Sequence, residues 1–244
     1  MICFWGLSDV GLKRKDNQDA FAIEQNEAKK LAAAVVCDGM GGVEGGALAS
    51  RLAVDAFIDT VREHFRPDMS PEELREMSLS AVNRANKTVF LAARNLYPGM
   101  GTTLVSAVAY PGGCVVTNIG DSRVYRITEE GIERITKDHS LMEEMIDRGE
   151  ITPEEARYHP DRNVITRALG TKEREIADAY LCPMRAGEYL LLCTDGLIDT
   201  VSDQEMLFEV IHDSDTDTCL ERLLAISMSR GAPDNVTGVL LKYM

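Results

Sequence analysis

The stretch LAAAVVCDGMGG, Leu31 to Gly42, passes through seven small or apolar residues and then stops on an aspartate. A segment built to be buried ends in a carboxylate, followed by residues that favour backbone freedom. The same ending recurs in YLLLCTDG, which closes on Asp195-Gly196, and in CVVTNIGDSR, which closes on Asp121. In PDNVTG the order is reversed, with Asp234 immediately before the last apolar segment. A lone Asp-Gly reads as a turn, but repetition at the ends of apolar strands asks for more. If these strands lie in packed sheets, their ends converge at one edge. Four carboxylates gathered there repel one another and cannot all stay ionised without a compensating positive charge. A hard divalent cation taking oxygen ligands, Mg²⁺ or Mn²⁺, answers that need. Glycine after Asp38 leaves the peptide carbonyl accessible to such an ion.

Outward from this stretch, Ile2–Gly11, Ala20–Gln25 and Leu31–Cys37 read as strands separated by short turns. Val54, Phe57, Ile58, Val61 and Phe65 then share one helical face. A second helix opens at SPEEL, where Ser70 caps, Pro71 fits the first turn and Glu73 completes a capping box. Its stripe runs through Leu74, Met77, Ala81, Ala85, Val89 and Ala92, and NLYPGMG ends it. Strands return at 102–109, 113–119, 123–128 and 131–135, the last two joined by a hairpin at TEEG. The segment from Lys137 to Asp161 is polar and irregular, with a second capping box at Thr152 and Glu155. Strands follow near 164–168, 176–181 and 188–194. Two helices come next, one opened by Ser202-Asp203-Gln204-Glu205 and one carrying Leu220, Leu223 and Leu224. NVTGVLLKY closes the chain as a strand. Strands in runs, interrupted by paired helices, argue for antiparallel sheets with helices on their outer faces rather than a parallel βαβ sheet.

The 244 residues carry a formal net charge of −14, which opposes a nucleic-acid-binding surface. Six cysteines form no C-x-x-C pair and mostly sit in apolar runs, as expected of free thiols in a reducing cytoplasm and not of a zinc site. MICFWGLSDV lacks the features of a signal peptide, and no apolar run approaches a membrane span. Without a linker or internal repeat, residues 1–244 are expected to form one domain.

The ordered set GLKRKDNQDAF, CDGMGGVEGG, GTTL, NIGDSRVY, LLLCTDGL and PDNVT resembles the metal-dependent Ser/Thr protein phosphatases of the 2C type, from Ser8 to Leu241. The resemblance implies an α+β fold: a four-layer αββα sandwich, two antiparallel sheets flanked by pairs of antiparallel helices, with a flap at about 137–161 beside a metal cleft. It implies two core Mn²⁺ or Mg²⁺ ions and a weaker third. Asp38 would bridge the core pair, the Gly39 carbonyl would serve the first ion, and Asp195 and Asp234 the second. Asp121 would hold the third ion, shared with Asp195. Asp19 resembles the residue that orders metal-bound water, and Arg14 the phosphate clamp, since a guanidinium grips two phosphate oxygens at once. The implied reaction is hydrolysis of phosphoserine and phosphothreonine on proteins by a bridging water or hydroxide, with no covalent intermediate. No cysteine lies in a C-x₅-R phosphate loop. The implied partners are phosphorylated proteins and a bacterial Ser/Thr kinase whose action is reversed.

The pattern departs from the family at the proton donor. Met40 and Val43 stand where other members carry a histidine. His64 and His212 fall on helices and read as surface residues; His139 and His159 lie in the flap, either donating a proton or ordering that segment. Met142, Met145 and Ile146 offer either an apolar substrate contact or simple packing, and Ser140 is a candidate neighbour of the third ion. Two other classes stay open. A catalytically silent binding module would have no reason to keep Arg14, Asp38, Asp195 and Asp234 together. A phosphatase of anti-sigma-factor antagonists would favour one dedicated phosphoprotein over phosphopeptides.

Overall fold

The computed structural model describes residues 2–28, 30–212 and 218–244, and only the backbone of Val43. One sheet has five strands in the order β1 (Ile2–Asp9), β11 (Val236–Tyr243), β10 (Tyr189–Cys193), β7 (Arg123–Thr128) and β8 (Gly131–Arg134). The other runs β2 (Asp19–Asn26), β3 (Leu31–Met40), β5 (Leu104–Tyr110), β6 (Gly113–Ile119) and β9 (Asp178–Pro183), with the short β4 (Gly101–Thr102) against the end of β3. Every pairing is antiparallel.

The unbroken apolar run of β3 now has its cause. Ala33, Val35 and Cys37 face helices α1 (Val43–His64) and α2 (Pro71–Asn95), while Ala32, Ala34 and Val36 face the other sheet. A strand covered on both faces needs no polar alternation. β10 is sandwiched likewise: Leu190 and Leu192 meet the opposite sheet, and Leu191 and Cys193 meet α6 (Asp203–Ile211) and α7 (Cys219–Ser229). Three apolar layers therefore separate four layers of structure, helix, sheet, sheet and helix, the expected sandwich.

The helix starts follow the capping chemistry. Ser70 Oγ accepts from the Glu73 N–H while the Ser70 N–H donates to the Glu73 carboxylate, with Pro71 in the first turn. Thr152 with Glu155, and Ser202 with Glu205, repeat the box at α4 (Pro153–Ala156) and α6.

Two expectations are corrected. Residues 164–168 do not form a strand: only single bridges join Ile165 to Ser140 and Leu169 to Thr102. The backbone there serves several partners in turn, the Thr166 N–H donating to the His139 carbonyl and the Val164 carbonyl accepting from Leu141. The strand expected over 102–109 breaks at Thr103, whose N–H is spent on the Asp38 carbonyl at 2.9 Å. Asp195-Gly196, after β10, begins a helical turn, α5 (Asp195–Ile198).

Register brings the acidic strand ends together. Asp19 faces Asp38, Leu104 faces Ile119, Asp9 faces Val236, and Cys193 faces both Arg123 and Gly238. The segment 137–161 begins at this end, where the His139 N–H donates to the Gly120 carbonyl, and carries α3 (Leu141–Asp147) and α4. At the opposite end lies a mostly apolar cavity of about 480 Å³, lined among others by Ile2, Leu31, Phe65, Tyr110 and Tyr243. It contains none of the candidate residues.

Candidate metal centre

Asp19 and Asp38 are direct cross-strand partners on β2 and β3. Like charges directly opposite one another destabilise a sheet, so the pair needs compensation. Burial pushes the Asp38 carboxyl well above its ordinary range, and the charges of Asp195, Asp19, Asp121 and Asp234 push it further. Asp195 is raised in the same way, by burial first and then by Asp121, Asp234, Asp199 and Asp19. Asp19 is pushed up to about 6 chiefly by burial, against hydrogen bonds from Thr237 and Thr194. Asp121 is also pushed up to about 6 by burial and the nearby Asp138. The structure thus brings Asp19, Asp38, Asp121, Asp195 and Asp234 within electrostatic reach of one another.

Among the described residues, no three His, Cys, Asp or Glu side chains close into a tight ligand shell. The fit to divalent ions rests instead on the donors. One carboxylate oxygen each of Asp19, Asp121 and Asp195 is buried and has no hydrogen-bond partner. Such oxygens are costly unless something positive approaches them. Hard, anionic and unpartnered, they suit Mg²⁺ or Mn²⁺.

Gly39 sits where nothing larger fits. A Cβ there would stand 2.1 Å from the Gly46 carbonyl oxygen and 2.7 Å from that of Gln18. Gly46 is equally confined, its would-be Cβ lying 2.7 Å from the Gly39 carbonyl oxygen. The two glycines let the start of α1 press against the end of β3.

Arg14 reaches the cluster from its edge. Its Nη2 donates to Asp234 Oδ2 at 2.6 Å, with the Arg14 side chain half exposed. That bond, and the charges of Asp234, Asp195 and Asp38, raise the guanidinium further despite partial burial. Arg14 is therefore coupled to three of the acids from a position open to solvent.

Several participants escaped the sequence reading. The Thr103 hydroxyl accepts from the Asp38 N–H at 2.9 Å, and the Thr102 hydroxyl donates to the Asp38 carbonyl at 2.7 Å. Thr103 Oγ1 also pairs with Ser122 Oγ at 2.7 Å, joining GTTL to GDSR. Thr194 Oγ1 donates to Asp19 Oδ2 at 2.9 Å and accepts from the Thr237 N–H. Asp199, one helical turn beyond Asp195, is raised by burial against the pull of Arg162 and Arg123. Its signal was the i, i+4 spacing of the two aspartates in DGLIDT; the threonines gave none, because their partners lie far away in sequence.

The flap histidines receive distinct places. His139 is buried, and its Nδ1 accepts from the Gly120 N–H at 3.2 Å. That assigns the proton to Nε2, which donates to Asp178 Oδ2 at 3.2 Å. Burial lowers its pKa, Asp178 opposes the shift and Arg167 adds to it. With its own N–H on the Gly120 carbonyl as well, His139 pins the flap beside Asp121. His159 Nδ1 accepts from the Asp161 N–H, a bond within the flap. Ser140 Oγ caps α3 by accepting from the Glu143 N–H, and Met142 is buried. His64 and His212 lie at the ends of α1 and α6.

The geometry gathers hard oxygen donors at one end of a two-sheet sandwich. The family model for Protein phosphatase 2C matches residues 13–225, and the chain belongs to that family. It is 33% identical to the Serine/threonine phosphatase stp of Listeria innocua, over 96% of this chain and 93% of that one. The crystal structure of the serine/threonine phosphatase Stp1 from Staphylococcus aureus superposes with a TM-score of 0.93 at 32% identity, covering 100% of this chain and 96% of that one. The catalytic domain of the serine/threonine protein phosphatase PstP, solved in complex with two manganese ions, superposes with a TM-score of 0.82 at 31% identity, covering 99% of this chain and 97% of that one. Among the described residues, no helix is long and apolar enough to cross a membrane.

Proposed function

We propose that this chain is a protein serine/threonine phosphatase that hydrolyses phosphoserine and phosphothreonine with two core Mn²⁺ or Mg²⁺ ions and a weaker third. Asp38, the Gly39 carbonyl, Asp195 and Asp234 would hold the core ions, and Asp121, with Asp195, the third. Bound there, the ions supply Lewis-acid stabilisation of phosphoryl charge and lower the pKa of water.

The chain's own residues do the rest. Arg14 binds the phosphate oxygens from the open side of the cleft, where a fork of donors fixes orientation as well as charge. Asp19, held by Thr194, orients water by accepting its hydrogen bond. Thr102 and Thr103 fix the end of β3, so that Asp38 is preorganised before substrate arrives. His139 is committed to Gly120 and Asp178, so it serves as the flap's anchor and leaves proton donation to another group.

We take residues 1–244 as one catalytic unit with a flap at about 137–161, acting in the cytoplasm on phosphoproteins made by a bacterial Ser/Thr kinase. The bacterial phosphatases among its relatives support that setting, as do six free cysteines, five of them buried. The observation that carries the reading is the facing pair Asp19–Asp38 beside unpartnered buried oxygens on Asp19, Asp121 and Asp195. Its test is Mn²⁺-dependent release of para-nitrophenol from its phosphate ester and of phosphate from phosphoserine and phosphothreonine peptides. Both are expected to vanish with EDTA and return with Mn²⁺. Activity indifferent to EDTA would overturn it.

A further inference from the structure

Asn235 follows Asp234 directly, and its side chain is buried. Its amide spends every strong bond it has on one distant loop. Nδ2 donates to the Val10 carbonyl at 3.0 Å and to the Asp16 carbonyl at 3.1 Å, while Oδ1 accepts from the Gln18 N–H at 2.9 Å. The loop so gripped carries Arg14. Asn235 also donates its backbone N–H to Asp234 Oδ1 at 2.9 Å, the carboxylate whose other oxygen holds Arg14.

The surrounding backbone makes this contact close and exclusive. A Cβ on Gly11, at φ +73°, would stand 2.2 Å from the Asp234 carbonyl oxygen, and one on Gly196 would stand 2.0 Å from that of Asn235. The Leu12 N–H donates to the Ala232 carbonyl at 3.0 Å, fastening the loop a second time. Fully satisfied buried amides rigidify what they join.

We propose that Asn235 is a positioning residue for phosphate binding: it locks the Val10–Gln18 loop to Asp234, so that Arg14 stands at a fixed reach from the metal carboxylates. This rests on Arg14 being the phosphate clamp. A buried asparagine with only a stability role would leave phosphate recognition intact in any molecule that folds, which gives the two roles different readouts.

The test is a double-substitution cycle between Asn235→Ala and Arg14→Ala in the full-length, Mn²⁺-loaded chain. It reads KM and kcat on a phosphopeptide, inhibition by orthophosphate, Mn²⁺ affinity by calorimetry, and hydrogen exchange of the Gln18 amide. Asn235→Ala is expected to weaken orthophosphate inhibition roughly tenfold, the scale of one lost hydrogen bond to a charged group. It should raise KM more than it lowers kcat, speed Gln18 exchange and leave Mn²⁺ affinity within about threefold. In the Arg14→Ala background the same change should add less than about twofold. If Asn235→Ala does not melt cooperatively, Asn235→Asp takes its place in the cycle, keeping the acceptor for Gln18 and losing both donors. Independent, multiplicative effects, or unchanged orthophosphate inhibition in a variant with fast Gln18 exchange, would overturn the proposal while leaving the phosphatase reading standing. A wild-type chain that neither hydrolyses the peptide nor binds orthophosphate would overturn both.

Discussion

Arg14 donates to Asp234 at 2.6 Å from a half-exposed position, close enough to feel Asp195 and Asp38 as well. A guanidinium there can exchange a carboxylate for a phosphate without moving its backbone. Lysine would keep the charge and lose the fork. Arg14→Lys is therefore expected to raise KM for a phosphopeptide by roughly tenfold, with a smaller change in kcat, and to weaken orthophosphate inhibition in proportion. Steady-state kinetics with orthophosphate as inhibitor checks this, and unchanged inhibition would remove Arg14 from the phosphate site. At this scale the acids and Arg14 were legible in the sequence because each carries its charge in a recognisable motif. Thr102, Thr103, Thr194 and Asn235 were not. A hydroxyl or amide acquires its role only from its partner, and these partners lie as far as 225 residues away.

The elements were legible wherever burial followed a simple period. β6 and β7 have the expected bounds, and the capping boxes at Ser70, Thr152 and Ser202 are all formed. Residues 164–168 misled because an apolar segment at a sandwich edge can serve as a tie between elements, spending its backbone on His139 and Leu141 and not on a neighbouring strand. The beginning of α1 was hidden for a different reason. Glycine and alanine near its start carry no apolar signal, yet Gly46 must be small because β3 passes against it. Gly39→Ala is the matching test of that element contact. Its Cβ would meet two carbonyl oxygens, so the strand end must shift, at a cost of about 1–3 kcal/mol. A urea melt should show that loss together with weakened Mn²⁺ binding, since the displaced strand carries Asp38. A variant with native stability and native metal affinity would show the approach to be slack.

For the molecule as a whole, the acidic cleft makes stability depend on pH in opposite directions with and without metal. Asp19 and Asp121 are pushed up to about 6 in the folded chain, and Asp38 and Asp195 are raised as well. A carboxyl raised above its unfolded value favours folding below the ordinary carboxylate range, and that benefit is lost as pH rises through about 6. The EDTA-treated chain should therefore melt at a higher temperature near about pH 5 than near about pH 7.5. Ions bind the ionised carboxylates, so saturating Mn²⁺ should reverse the order, adding about 2.7 kcal/mol at a hundred times its Kd. Glu205, held down to about 2 by Arg230, stabilises above its ordinary range and loses that contribution only as pH falls through about 2, clear of this window. Thermal melts with and without Mn²⁺ across these pH values check the prediction; parallel profiles would contradict it.

The layered architecture and the convergence of the strand-end acids could both be reasoned from apolar runs that stop on aspartate. How closely those acids approach could not, because that depends on strand register. Isothermal titration of Mn²⁺ into the metal-free chain at neutral pH measures the outcome most directly. Two core ions should bind per chain, with further uptake at higher concentration, and Asp38→Asn should abolish high-affinity binding of the core pair while the chain still melts cooperatively. Unchanged stoichiometry and affinity in Asp38→Asn would contradict a shared metal centre.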